Sequence, residues 1–122
     1  MAKKILIVDD SQSVLAILED MLDDLGYEVV TASNGKQACQ QLETTQFNLI
    51  ITDLNMPVMD GFAFAETAKK MPNCKLVPIV MLSSEEDEAK IAEAKRVGIS
   101  TFLRKPVKEL QLKTILKVIL GA

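Results

Sequence analysis

Five short apolar runs, separated by segments with helical spacing, constrain what this chain can fold into. Ile5-Leu-Ile-Val8, Leu49-Ile-Ile51 and the stretch from Val77 to Leu82 carry almost no polar position. Runs of that length, bounded by turn residues, read as strands buried on both faces. Glu28-Val-Val-Thr31 and Thr101-Phe-Leu103 are shorter and more polar, as edge strands should be. Between the runs, apolar residues recur at spacings of three and four. Val14, Ile17, Leu18, Met21, Leu22 and Leu25 give a first helix its face, with Ser11 as N-cap and Gly26 as terminator. Ala38, Cys39 and Leu42 mark a second helix after the Asn34-Gly35 turn. Phe64, Ala68 and Met71 mark a third, opened at Asp60-Gly61 and closed by Pro72-Asn73. Ser83-Ser84-Glu85-Glu86 opens a charged fourth, and Ile115, Leu116, Ile119 and Leu120 face the last. Strands alternating with helices predict a parallel sheet covered on both faces. Placing the polar strands at the edges gives the order 2-1-3-4-5, a doubly wound α/β fold of the flavodoxin-like (βα)5 kind. Its switch point falls between the first and third strands.

Chemistry collects at the strand ends. Asn48-Leu-Ile-Ile-Thr-Asp-Leu-Asn-Met-Pro57 runs an apolar strand directly into Asp53. The first strand ends at Asp9-Asp10, the fourth at Ser83, and the fifth is followed by Lys105-Pro106. In an open α/β sheet these C-terminal ends surround the ligand crevice. Each residue alone has a plainer reading: Asp9-Asp10 as helix caps, Asp53 as a turn residue, Lys105 as a solvated charge. Together they make a site. Three carboxylates in one crevice repel one another. Oxygen donors without His or Cys suit Mg²⁺, which keeps several waters and takes one or two carboxylates plus a phosphate oxygen. A lysine, a hydroxyl and backbone N–H groups beside it would stabilise a phosphoryl group. The chain has no His, so one of its own carboxylates is the expected nucleophile, giving an aspartyl-phosphate.

Val8-Asp-Asp10, Asp53 with Met56-Pro57, Asp60-Gly61, Ser83 and Lys105-Pro106 resemble the signature of response-regulator receiver domains, and most of all stand-alone CheY-like receivers. The resemblance covers essentially the whole chain. It implies Asp53 as phosphoacceptor, with Lys105 and Ser83 on the phosphoryl oxygens. It implies Mg²⁺ held by Asp10, Asp53 and the backbone carbonyl of Asn55, with Asp9 acting through water. Lys105-Pro106 is expected to be a cis peptide. Ser83 and Phe102 match the hydroxyl and aromatic switch positions, and Asn55 and Glu85 those that tune decay of the phosphate. Three departures bear on partner choice. Ser83 stands where Thr is commoner, Phe102 replaces the Tyr of many chemotaxis receivers, and Val107 follows Lys105-Pro106 where an aromatic often stands.

The implied function is a single receiver domain over residues 1–122, without an output domain. Phosphorylation by a cognate histidine kinase or phosphotransfer domain would switch its binding to a downstream protein on the face of the fourth helix, fifth strand and last helix. Chemotaxis or motility signalling leads; a phosphorelay intermediate passing phosphate to a histidine carrier domain is the alternative. A small Mg²⁺-dependent phosphatase would want an acid two residues after the nucleophile, where Asn55 stands. An FMN module would want a Gly/Ser/Thr-rich phosphate loop after the first strand, where Asp9-Asp10 carries the wrong charge. Apart from self-phosphorylation and autodephosphorylation, no enzyme activity is expected. A net charge of −3 argues against nucleic acid. No apolar run reaches a membrane span. Cys39 and Cys74 are far apart in sequence and read as reduced thiols of a cytoplasmic protein, Cys39 in the core and Cys74 in a loop. The unphosphorylated form is expected to be a monomer.

Overall fold

The computed structural model describes residues 2–84 and 88–121. Five strands and five helices alternate: β1 (Lys4–Val8), α1 (Gln12–Asp24), β2 (Glu28–Ala32), α2 (Gly35–Thr44), β3 (Leu49–Asp53), α3 (Gly61–Lys70), β4 (Ile79–Ser83), α4 (Glu88–Arg96), β5 (Thr101–Arg104) and α5 (Glu109–Leu120). All pairings are parallel, in the order β2-β1-β3-β4-β5. The polar strands β2 and β5 are the edges, as their composition requires. Every residue of the central strands β3 and β4 is buried.

The period of two along a strand divides the core. Ile5, Ile7, Leu49 and Ile51 meet Leu15, Leu18 and Leu22 of α1 and Leu112 and Leu116 of α5. Leu6, Val8 and Ile50 point the other way, onto Ala38 and Leu42 of α2 and Phe64, Ala65 and Ala68 of α3. Helix starts are capped by side chains. Ser11 accepts from Val14 N–H, Asn34 from Gln37 N–H and Asp60 from Ala63 N–H. Gly26, at φ +91°, ends α1 in the left-handed region that glycine enters without penalty.

Several boundaries and faces differ from the sequence expectation. β4 runs from Ile79 to Ser83, not Val77 to Leu82. Pro78 has no N–H to give a ladder, though its carbonyl still accepts from Ile50 N–H. Ser83 is therefore the last strand residue rather than the first helical one, and α4 is described from Glu88. On α1 the centre of the buried face is Leu15, Leu18 and Leu22, while Ile17 is 55% exposed. Leu112 joins Leu116 as the buried centre of α5, with Ile115, Ile119 and Leu120 only partly covered. The cysteines exchange places: Cys74 is buried and Cys39 only partly so, and both are free thiols. Burial pushes both thiols above their ordinary pKa.

Candidate functional site

The crevice opens where the order reverses, between β1 and β3. Val8 pairs in register with Thr52, so Asp9 and Asp53, one residue further on each strand, emerge side by side. Asp10 follows at the crevice rim and is exposed, whereas Asp9 and Asp53 are buried. The carboxylate oxygens of Asp9, Asp10 and Asp53 lie within 4.8 Å of one another. Lys105 reaches in from the loop after β5. Its Nζ is 3.0 Å from Asp9 Oδ2 and 3.0 Å from Asp53 Oδ1. The loop bearing it is tied to β4, since Lys105 N–H donates to Ser83 O at 2.8 Å, and the Lys105-Pro106 peptide is cis.

Asp9 is fully engaged. Its Oδ1 accepts from Ser11 N–H at 2.9 Å and its Oδ2 from Lys105. A carboxylate so occupied acts on a cation more readily through water than by direct ligation. Asp10 is the exposed member and is free to turn toward a metal. Burial pushes the Asp53 carboxyl above its ordinary pKa; the Asp9 and Asp10 charges push the same way, against the hydrogen bond from Lys105. Burial pulls on the Lys105 ammonium too, but its hydrogen bonds to Asp9 and Asp53 prevail and hold it above the usual lysine range. One lysine thus faces more negative charge than it can balance. Hard oxygens, crowded and only partly neutralised, are a donor set that fits Mg²⁺.

The other expected residues are distributed around this centre. Asn55 is exposed in the loop after β3. Ser83 is fully buried at the end of β4, and its strand neighbour across the ladder is Arg104. Phe102 lies half-buried on β5 opposite Met81, in a cleft of about 200 Å³ formed with Ile91, Ala94 and Ile99. Glu85 lies outside the described residues. Two features escaped sequence reasoning. Gly61 sits so close to the Asp53 backbone that a Cβ there would collide with Asp53 O and stand 2.9 Å from Leu54 Cα. The Asp-Gly pair signalled only a turn. An apolar groove of about 410 Å³ also opens beside Lys105, between Val14, Ile17 and Leu18 of α1 and Pro106 and Val107. Ile17 lines it although its spacing fits a buried helix face.

A parallel sheet in this order, with acids at the switch point and a lysine bridging two of them, is the architecture of a receiver domain. The model of the response regulator receiver domain family matches residues 5–117, and the chain belongs to that family. It is similar to a probable chemotaxis protein CheY of Rhizobium etli, with 32% identity over 98% of this chain and 93% of that one. The solved structure of chemotaxis protein CheY4 of Vibrio cholerae matches with a TM-score of 0.94 at 38% identity, covering 98% of this chain and 99% of the other. The receiver domain of sensor histidine kinase PA1611 of Pseudomonas aeruginosa, solved with a magnesium ion coordinated in its active-site cleft, matches at 0.92 and 29% identity over the full length of both.

Proposed function

We propose that this receiver works as a phosphorylation-dependent binding switch, with Asp53 as the phosphoacceptor and chemotaxis-type signalling as its context. The carrying observation is the placement of Lys105 Nζ 3.0 Å from both Asp9 and Asp53. Mg²⁺, held by Asp10, Asp53 and the Asn55 carbonyl with Asp9 acting through water, would supply positive charge to the phosphoryl oxygens. The rest is done by the chain. An Asp53 oxygen attacks phosphorus as the bond from phosphorus to the donor breaks. A phosphohistidine donor leaves as imidazole after taking a proton, and an acyl-phosphate donor leaves as carboxylate. Lys105 is freed from Asp53 as that carboxylate becomes an ester-like anhydride, and moves to a phosphoryl oxygen. The Ser83 hydroxyl donates to another. Water attacking the same phosphorus later breaks its bond to the Asp53 oxygen, releases inorganic phosphate and restores the carboxylate.

The chain has no His, so the phosphate must arrive from elsewhere. The groove of Val14, Ile17 and Pro106 beside Lys105 supports a protein donor that covers apolar surface, a histidine kinase or phosphotransfer domain. The output partner would bind the face of α4, β5 and α5, where Phe102 lies. We read the chain as a single domain acting in the cytoplasm, monomeric before phosphorylation, with no nucleic-acid contact and no catalysis beyond its own phosphorylation and dephosphorylation. Among the described residues no helix is long and apolar enough to cross a membrane. A phosphorelay role is the second reading, favoured by the likeness to the receiver of a sensor histidine kinase.

Incubation with acetyl phosphate and Mg²⁺ tests the proposal. The expected adduct is stable in acid, labile in alkali and absent when the metal is chelated. An adduct that forms equally in chelator, or one that survives alkali, contradicts it. Adding a histidine carrier domain separates the two readings. Rapid transfer to the carrier supports the relay, and hydrolysis without transfer supports the switch.

A further inference from the structure

The loop after β3 breaks a local rule at one residue. Val58 has φ +71°, a region that a β-branched side chain enters only under strain. The chain closes tightly across it: Met59 N–H donates to Pro57 O at 2.7 Å, a three-residue γ-turn with positive φ, which is the strained form. Val58 gains nothing locally, since its side chain is 85% exposed. The compensation comes from its neighbours. Met56 is buried in the core beneath α2 and α3. Met59 packs against the same core and against Gly35, the first residue of α2. A Cβ on Gly35 would stand 2.9 Å from Met59 Sδ and 3.0 Å from its Cβ and Cγ. At the loop's base Gly61 N–H donates to Leu54 O at 2.8 Å. Two side-chain anchors and one backbone clamp hold a tip whose own residue resists the conformation.

We propose that the Gly35–Met59 contact is a latch that holds this loop in its strained form, making Gly35 and Met59 positioning residues for the chemistry at Asp53. The inference rests on the metal reading of the site given above. Asn55, whose carbonyl that reading uses, lies between the Leu54 clamp and the Met56 anchor. Val58 drives the loop toward negative φ, and the latch opposes it. When the latch is weakened, the loop relaxes and carries the Asn55 carbonyl with it. When the strain is removed instead, the latch has nothing left to oppose.

The test is a mutant cycle read by Mg²⁺ titration calorimetry and by Tm without metal. Gly35→Ala should weaken Mg²⁺ binding about tenfold, the factor that releasing a strain of this class supplies. Met59→Ala, which withdraws the latch without a clash, should do the same. Adding Val58→Gly to Gly35→Ala should restore the affinity. Val58→Gly alone should raise Tm by about 3–8 °C in the parent, and by much less beside Gly35→Ala, where the turn has already relaxed. Unchanged Mg²⁺ affinity in both latch variants, or no restoration by Val58→Gly, overturns the positioning role. A parent that binds no Mg²⁺ sinks the metal reading and the positioning role with it. The Tm cycle then still decides the latch, and equal gains from Val58→Gly in both backgrounds overturn that as well.

Discussion

Asp53 holds its negative charge in a place that disfavours it. Burial and two neighbouring acids raise its pKa, while one shared lysine only partly offsets them. A carboxyl whose folded pKa lies above its unfolded value binds its proton more tightly in the folded state. Its contribution is therefore favourable at low pH, is lost as pH rises through the folded pKa, and leaves a cost at neutrality. Asp53→Asn should raise Tm at neutral pH in the absence of Mg²⁺, and the gap should close as pH falls toward the ordinary carboxylate value of 3.8. Thermal melts of both proteins across that range check this; a variant less stable than the parent at neutrality contradicts it. Lys105 is the opposite case. Removing it strands Asp9 and Asp53 against each other, so Lys105→Met should cost about 1–3 kcal/mol, measurable by urea unfolding. Lys105→Arg keeps the charge but replaces a compact ammonium with a planar fork. It should still accept phosphate at Asp53 yet gain less partner affinity than the parent on phosphorylation, and an undiminished gain would show that the point charge is not what transmits the signal.

At the scale of elements, the central strands were legible because a strand buried on both faces takes few polar residues before its C-terminal end. That is why β1, β3 and β4 stand out in the sequence and why β2 and β5 fall to the edges. The acids and the lysine were legible for a related reason, since each stands where an apolar run stops. The face of α1 was not. Val14, Leu15, Ile17 and Leu18 are all apolar, so spacing alone could not choose Leu15 over Ile17; the sheet chose. Nor could sequence show that Gly35 and Gly61 are places of close approach, because the atoms they admit belong to other elements. Gly61→Ala should force α3 away from the Asp53 carbonyl and destabilise the fold by about 1–3 kcal/mol. It should also slow phosphorylation, because the backbone of Asp53, the proposed nucleophile, moves. Normal stability and rate together would show that the close approach does not position Asp53. The two positions of the proposed switch, Ser83 on β4 and Phe102 on β5, share no cross-strand pair. Burying a Phe ring contributes about 1.5–3 kcal/mol, whereas moving an equilibrium from 1:99 to 99:1 takes about 5.5 kcal/mol. In the proposed switch the ring would therefore follow the phosphoryl contacts rather than drive the change. Ser83→Ala should leave phosphate uptake largely intact while the Phe102 ring resonances stop responding to beryllofluoride, and a full response would remove Ser83 from the coupling.

For the molecule as a whole, every feature of the sheet serves the carboxyl ends of its strands. The order β2-β1-β3-β4-β5 puts Asp9 beside Asp53. The two apolar layers hold α1 and α5 on one face and α2 and α3 on the other, and the candidate site gathers at the strand ends and the loops that follow them. In the proposed function the whole molecule joins an input beside Lys105 to an output around Phe102 through a single covalent event. That event has one location in this account. Borohydride reduces an acyl phosphate on aspartate to homoserine, so treating the phosphorylated protein and sequencing its peptides marks the acceptor directly. The account predicts homoserine at residue 53, dependent on Mg²⁺ during phosphorylation and absent from Asp53→Asn. Homoserine at residue 9 or 10 with residue 53 unmodified would contradict it.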